Sequence, residues 1–188
     1  MKQPITKTIL AISFLIMTSA CSMRPNLSVP THHDLGLATE ASLNNATVTV
    51  DAPSWLWDER IRYRLLYSNP TAIAYYNLDR WEAPVPALLE HRLNIAAQGK
   101  PINLKIKLMQ FEQQFESADN VRVVMVLRVG AFSNDDSYLL GQRVFNFSKG
   151  TPSPDAIGAI KGFVDLTEQA NKELSSWVAT LLQANKAL

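Results

Sequence analysis

Residues 102–115 read INLKIKLMQFEQQF, and residues 121–132 read VRVVMVLRVGAF. In the first run apolar and polar side chains alternate, which predicts a strand with one buried face. The second run is apolar almost throughout, so it predicts a central strand of a sheet. The turn-forming residues 134–137 (NDDS) join it to a third β-prone run, 138–147. Because the connections are short, these runs predict an antiparallel meander of three long strands.

Shorter β-prone runs precede this meander. Residues 47–50 alternate valine with threonine, residues 60–66 alternate apolar side chains with arginines, and residues 72–76 form a third run. The pattern changes to helical spacing over residues 84–98, which end before a glycine and a proline. This region therefore predicts several strands followed by a first helix.

A long helix is predicted from about Pro154, because apolar residues recur every three or four positions over 157–182. Proline is tolerated in a first helical turn, and Ser153 before it is the expected cap. Gly158 and Gly162 predict a close approach of this helix to the sheet. Two helices and about six strands, each with one apolar face, predict the α+β class. The expected architecture is a two-layer sandwich of a mainly antiparallel sheet and two helices, the C-terminal one long.

The first twenty residues have the form of an export signal. They begin with two lysines, continue through an apolar run at 9–17 (ILAISFLIM), and end with small residues at 18–20 (TSA) before Cys21. As a helix the apolar run would cover about 14 Å, well short of the ~30 Å hydrocarbon core that a membrane-spanning helix must cross. The pattern therefore predicts a removable signal peptide over residues 1–20.

Cys21 is the only cysteine in the chain. In an oxidising compartment it has no partner for an intramolecular disulfide, whereas lipidation gives it a role. Small residues before a lone cysteine resemble the bacterial lipobox, in which the thiol is diacylated, the signal is cleaved and the new amine is acylated. Several acyl chains, at about 0.8 kcal/mol per buried methylene, hold a protein on a membrane durably. The alternative is a plain secretory signal with an incidental thiol.

The mature chain divides into two regions. Residues 21–45 lack periodicity, which predicts a lipidated N-terminus and a flexible tether that could reach about 80 Å when straight. Residues 46–188 suit a single periplasmic domain with its own core. Loss of the signal lowers the Lys and Arg count from 18 to 16 against 17 Asp and Glu, a net side-chain charge of −1. Such a chain offers no electrostatic case for binding nucleic acid.

Few side chains have the chemistry of catalysis. His32 and His33 lie in the predicted tether, which cannot hold a general base in place, and His91 lies off the apolar stripe of its helix. The neighbouring Asp34 does not complete the spaced ligand set of a zinc site. No G-x-S-x-G, phosphate-binding loop, dinucleotide fingerprint or H-E-x-x-H occurs. The sequence thus predicts no enzyme, no metal site and no cofactor.

The aromatic residues are the stronger candidates for a site. Trp177 lies on the apolar stripe of the last helix and is predicted to be structural. Trp55 and Trp57 cannot both face inward if their segment is extended, so one is expected to be an exposed anchor for a partner or lipid. A short helix that buries both is the alternative. A second cluster precedes the first helix and comprises Tyr75, Tyr76, Arg80 and Trp81.

A set of spaced residues extends along 46–182, and Arg80-Trp81 after two strands is its most specific part. The set comprises Val48, Val50, Pro53, Leu56-x-x-x-x-Ile61-x-Tyr63-Arg64, Tyr76, Arg80-Trp81, Pro84, Gln110-Phe111-Glu112 and Trp177. Together with the lipobox, these residues resemble the ABC-type transport auxiliary lipoprotein family. That family includes the paraquat-inducible type lipoproteins that accompany MCE-domain lipid transporters.

The resemblance implies a non-catalytic subunit of an ABC/MCE-type transport system that moves lipids between membranes. By resemblance to lipoprotein sorting, Ser22 after the cysteine implies anchoring in the outer membrane, with the domain facing the periplasm. The implied partners are the membrane, an MCE-domain protein and ABC transporter subunits, and self-association into a ring fits such assemblies. Trp55, Trp57, Arg80 and Trp81 are the expected interaction or framework cluster. A cell-envelope structural lipoprotein is the alternative, and a periplasmic hydrolase lacks a nameable nucleophile and base.

Overall fold

The computed structural model describes residues 28–37, 46–98 and 100–184. The predicted signal peptide, Cys21 and part of the predicted tether lie outside these residues. The described chain forms seven strands and two helices. The strands are β1 (Thr31–His33), β2 (Thr47–Asp51), β3 (Arg60–Leu65), β4 (Ala74–Trp81), β5 (Ile102–Phe115), β6 (Val121–Ser133) and β7 (Leu139–Gly150), and the helices are α1 (Val85–Arg92) and α2 (Ala156–Ala184).

All seven strands belong to one open sheet with the order β1-β4-β3-β5-β6-β7. The antiparallel pairing of β5 with β6 and of β6 with β7 confirms the predicted meander. The strand β2 pairs with the first half of β5, and β3 pairs with its last three residues, both in parallel. The sheet is therefore mainly antiparallel, with parallel pairs that the short connections did not predict.

Both helices lie on one face of this sheet and enclose the core, which confirms the α+β class and the long C-terminal helix. Alternate residues of β5 and β6 point into this layer and are buried. Phe163 of α2 stacks on Phe111 with 3.8 Å between ring centroids and meets Trp81 edge-on at 5.9 Å. These three rings form the centre of the core.

The helix α2 begins at Ala156, two residues later than predicted. Its cap is Asp155, whose Oδ1 accepts the Gly158 amide at 2.7 Å and the Ser153 hydroxyl at 2.6 Å. These hydrogen bonds lower the pKa of Asp155. The prediction of Ser153 as cap was wrong, because its hydroxyl donates to the carboxylate instead. A Cβ at Gly162 would lie 2.6 Å from Val123 of β6, which confirms the close approach of helix and sheet.

The first helix is shorter than the predicted range 84–98, because the chain leaves it at Leu93 with extended backbone. Residues beyond it are held by side chains of α2: Asn171 accepts the Asn94 amide at 2.8 Å, and Ser175 accepts the Ala96 amide at 3.1 Å. These side chains satisfy the backbone in place of helical hydrogen bonds. Neither helix within the described residues is both long and apolar enough to span a bilayer.

Part of the predicted tether belongs to the fold. Residues 31–33 form β1 in parallel with β4, and His33 Nε2 lies 2.8 Å from Asp79 Oδ1. Leu35 is buried in the core, where its carbonyl accepts the Arg92 Nε–H at 3.1 Å. A strand of three residues has no periodicity to reveal it, so the sequence pattern did not separate it from a linker.

Candidate interaction site on the open face of the sheet

The sheet has an open face, which we define as the face turned away from α1 and α2. Alternation along each strand places every second residue on it, as with Lys105 and Lys107 between the buried residues of β5. Basic side chains dominate this face across four neighbouring strands. They are Arg60, Arg62, Arg64, Arg80, Lys105, Lys107, Arg122 and Arg128.

A gap in strand pairing lies at the middle of the open face. One edge of β5 pairs with β2 up to Lys107 and with β3 from Gln113, so within the described chain residues 108–112 have no strand partner on that edge. A 3-10 turn, Ser54–Leu56, covers the gap and buries Leu56. Beside it lies a cavity of about 360 Å³. Its lining comprises Trp55, Leu56, Arg62, Arg64, Met109, Gln110, Phe111, Glu112 and Val126.

The tryptophans of the turn are both exposed, Trp55 by 57% and Trp57 by 47%. The alternative of a short helix that buries both was wrong, because the short helical turn forms but buries the intervening Leu56 and leaves both indoles exposed. The role of either as an anchor stays a prediction. Trp57 is fixed by a hydrogen bond from its Nε1 to the Ala52 carbonyl at 3.1 Å. Trp55 stands at the rim of the cavity. An exposed indole beside a cavity is the type of side chain that anchors protein interfaces.

Arg80 and Trp81, the other members of the predicted cluster, lie on opposite faces of β4. Trp81 is 1% exposed and packs in the core, so it is a framework residue. Arg80 lies on the open face directly opposite Arg60 of β3. The structure thus divides the four predicted residues, with Trp81 inside and Trp55, Trp57 and Arg80 outside or half-exposed.

Glu112 forms the floor of the cavity and is only 3% exposed. Arg64 binds its carboxylate in a bidentate manner, from Nε to Oε1 and from NH2 to Oε2, both at 3.1 Å. Gln110 and Gln114 donate further hydrogen bonds to Oε1 at 3.0 and 2.9 Å. Burial raises the pKa of Glu112, but these hydrogen bonds outweigh it and hold the pKa below its usual value. The buried carboxylate is therefore ionised and fully partnered.

Arg62 is a second cation on the same carboxylate and is less well partnered. Its NH2 lies 3.5 Å from Glu112 Oε2, and its buried Nε has no hydrogen-bond partner among the described residues. Because Arg64 already neutralises Glu112, the charge of Arg62 is largely uncompensated. The cavity therefore combines an apolar wall at Trp55 with an available guanidinium.

Sequence reasoning did not place Arg62 or Glu112 in a site. The available signal was the alternation of arginines in β3, which puts Arg60, Arg62 and Arg64 on one side of a strand. The pairing with Glu112 depends on β3 lying parallel to β5, and sequence periodicity does not specify a strand neighbour. Among the described residues no group of three or more His, Cys, Asp or Glu has a metal-binding arrangement.

The fold and this site define a class: an α+β fold with one helix-covered face and one open, basic face. Solved structures that are similar to this fold include the following two. The crystal structure of protein XCC0632 from Xanthomonas campestris, of family DUF330, is 18% identical with a TM-score of 0.66 over 85% of this chain and 98% of that one. The crystal structure of an uncharacterized protein is 14% identical with a TM-score of 0.64 over 80% and 99%. No protein-family model and no curated protein sequence matches the chain.

Proposed function

We propose that this protein is an outer-membrane lipoprotein that serves as a non-catalytic auxiliary subunit of an ABC/MCE-type lipid transport system. The observation that carries the proposal is the exposed Trp55 beside the cavity with its buried Arg62–Glu112–Arg64 floor. A non-catalytic subunit works by binding its partners, and an exposed indole beside a cavity with charged side chains suits such binding. The family resemblance of the sequence supports the same role, and the likeness to a DUF330 protein supports the shared fold.

The proposed anchor is the acylated Cys21. Since β1 begins at Thr31, nine residues (22–30) lie between the two, and the ten steps from residue 21 to residue 31 span at most about 35 Å. That is less than half of the about 80 Å predicted for a tether that spans residues 21–45. The domain would therefore act close to the periplasmic surface of the outer membrane.

The anchor is tested by mass spectrometry of the mature N-terminus. We expect acyl chains on residue 21, and Cys21→Ala should accumulate as an unacylated precursor that is not held by acyl chains. A mature wild-type chain with an unmodified amino terminus would contradict the anchoring proposal.

The partner is tested by crosslinking cells that express the tagged, full-length protein and identifying the recovered proteins by mass spectrometry. We expect MCE-domain and ABC subunits, with recovery reduced at least about tenfold by Trp55→Ala. Trp57→Ala is the matched control, because this indole is also exposed but does not line the cavity, and its recovery should stay near wild type. Recovery of envelope-assembly or peptidoglycan components alone would favour the structural lipoprotein instead.

A further inference from the structure

The open face carries more positive charge than its own acids neutralise. Five of its eight basic residues form ion pairs with four acids, which are Asp58, Glu112, Glu116 and Asp136. A fifth acid of this face, Asp51 of β2, lies beside Lys107. Eight basic residues against five acids leave an excess of three positive charges, although the whole chain has a formal net charge of only +1. Arg80 and Arg128 form no ion pair among the described residues.

Two pairs of like charges face each other across neighbouring strands. Lys107 of β5 is directly opposite Arg128 of β6, and Arg60 of β3 is directly opposite Arg80 of β4. Like charges in such positions destabilise a sheet. Arg60 is compensated by Asp58 and by the ring of Tyr75, and Lys107 by the neighbouring Asp51. Arg128 has no such compensation in the described chain, because it lies between Lys107 of β5 and Val144 of β7. Such an arrangement favours the binding of an external anion.

We propose that the open face binds an acidic surface of a partner protein, with one partner carboxylate entering the cavity to meet Arg62. This inference rests on the proposed function, in which the same face docks a subunit. Lys107 and Arg128 contact further acidic side chains, and Trp55 and Met109 supply the apolar contact beside the carboxylate. The acidic partner relieves the repulsion between the like charges, so docking is favoured by electrostatic complementarity.

The dimensions of the open face fit a protein rather than a bilayer. The four strands that carry its basic residues have 8, 6, 14 and 13 residues. With strand spacings of about 4.8 Å they cover an area of roughly 650 Å². That area is within the range for one side of a standard protein interface. Over the three strand steps from β4 to β6 the sheet turns by about 60–75°. A planar membrane surface cannot contact both like-charge pairs across that twist, whereas a folded partner can.

The charge preference is tested with the purified, acylated full-length protein and poly-L-glutamate as the acidic probe. We expect binding that weakens as NaCl rises from about 50 to about 500 mM. The double variant Lys107→Glu/Arg128→Glu should bind at least about tenfold more weakly. The matched control, Lys161→Glu/Lys172→Glu, makes the same change in net charge on the exposed side of α2 and should stay within about twofold. Equal losses in both double variants would overturn the inference, because net charge alone would then explain binding.

The same variants in the crosslinking experiment separate this inference from the proposed function. If transporter subunits are lost with Lys107→Glu/Arg128→Glu but not with Lys161→Glu/Lys172→Glu, the proposed function and the acidic-partner inference are both supported. If Lys107→Glu/Arg128→Glu recovers these subunits as well as wild type does, the acidic-partner inference is overturned and the proposed function is not. If no transporter subunit is recovered from wild type, the proposed function fails, and poly-L-glutamate binding still decides the inference. Charge-dependent binding to phosphatidylglycerol vesicles without binding to poly-L-glutamate would overturn the acidic-partner inference. Binding only to a second copy of the chain would overturn it as well.

Discussion

The two faces of the sheet are built from the same strands but differ in almost every physical property. On the covered face, alternate residues of β5 and β6 are fully buried against α2. On the open face, most of the residues between them are exposed or half-exposed, and many are basic. The buried Glu112 and Gln114 are hydrogen-bonded there by the arginines Arg64 and Arg122. Within each strand, residues that stabilise the core therefore alternate with residues that are available for binding, because neighbouring side chains point to opposite faces of the sheet. Substitutions that exchange these properties test the separation.

The largest effect is expected on the covered face. Phe163→Ala removes the ring that stacks on Phe111 and meets Trp81, and should lower the free energy of unfolding by about 4 kcal/mol. Ile157→Ala on the same helix removes an exposed side chain and should cost less than about 0.5 kcal/mol. Chemical denaturation measures both. Equal losses would show that α2 does not cover the face as described.

Glu112→Gln is expected to have the next largest effect, because it leaves two arginines beside the cavity without their carboxylate. Removing one partner of a buried ion pair costs up to about 5 kcal/mol, but Arg62 and Arg64 are partly exposed, so we expect about 2–3 kcal/mol. Glu116→Gln, which breaks the exposed pair with Arg122, should cost less than about 1 kcal/mol. A loss at Glu112 no greater than at Glu116 would contradict the buried cluster.

The contribution of Glu112 should also depend on pH. Its pKa in the folded state lies below the ordinary value of 4.5, so folding favours the ionised form. The stabilisation is therefore fully present above that value and is lost as the pH falls through the lower, folded pKa. Unfolding of wild type and Glu112→Gln compared between neutral and acidic pH should show the difference shrinking below about pH 4.5. A constant difference would contradict an ionised, buried Glu112.

The smallest predicted effect is an increase in the free energy of unfolding. Arg128→Glu turns the like-charge pair with Lys107 into a complementary pair and faces only Val144 on its other side, so it should stabilise the fold by about 0.2–1 kcal/mol. Lys172→Glu on the exposed side of α2 faces no such residue and should change stability by less than about 0.5 kcal/mol. Thermal unfolding at low salt measures both. Destabilisation by Arg128→Glu would show that the cross-strand repulsion is already relieved within the chain.

Sequence periodicity predicted the parts of the fold that are long and local. The meander, the turn at 134–137 and the structural position of Trp177 are confirmed. In the structure Asp136 has φ 59° in that turn, and Trp177 packs on Phe145 with 5.6 Å between ring centroids. The exposed position of His91 is confirmed as well. Each of these features depends on residues close in sequence or on one regular apolar stripe.

The features that were not predicted depend on pairing between strands that are far apart in the sequence. The short strand β1 is defined by β4, some forty residues away, and the cavity exists because β2 and β3 meet the same edge of β5 at different heights. The arginines of β3 were visible as an alternating row, yet only that pairing brings Arg62 and Arg64 to Glu112. Periodicity reports which face a residue takes, and says nothing of which strand lies beside it.

Hydroxyl-radical footprinting of the full-length protein, in membranes of the cells that express it and after purification in detergent, tests most directly whether the open face is the docking face. Trp55 and Met109 line the cavity, while Trp177 on the helix side provides an internal reference. We predict that Trp55 and Met109 are protected from oxidation in the membranes and become reactive after purification, with Trp177 unchanged. Protection confined to residues of α2, with Trp55 equally reactive in both samples, would contradict the account.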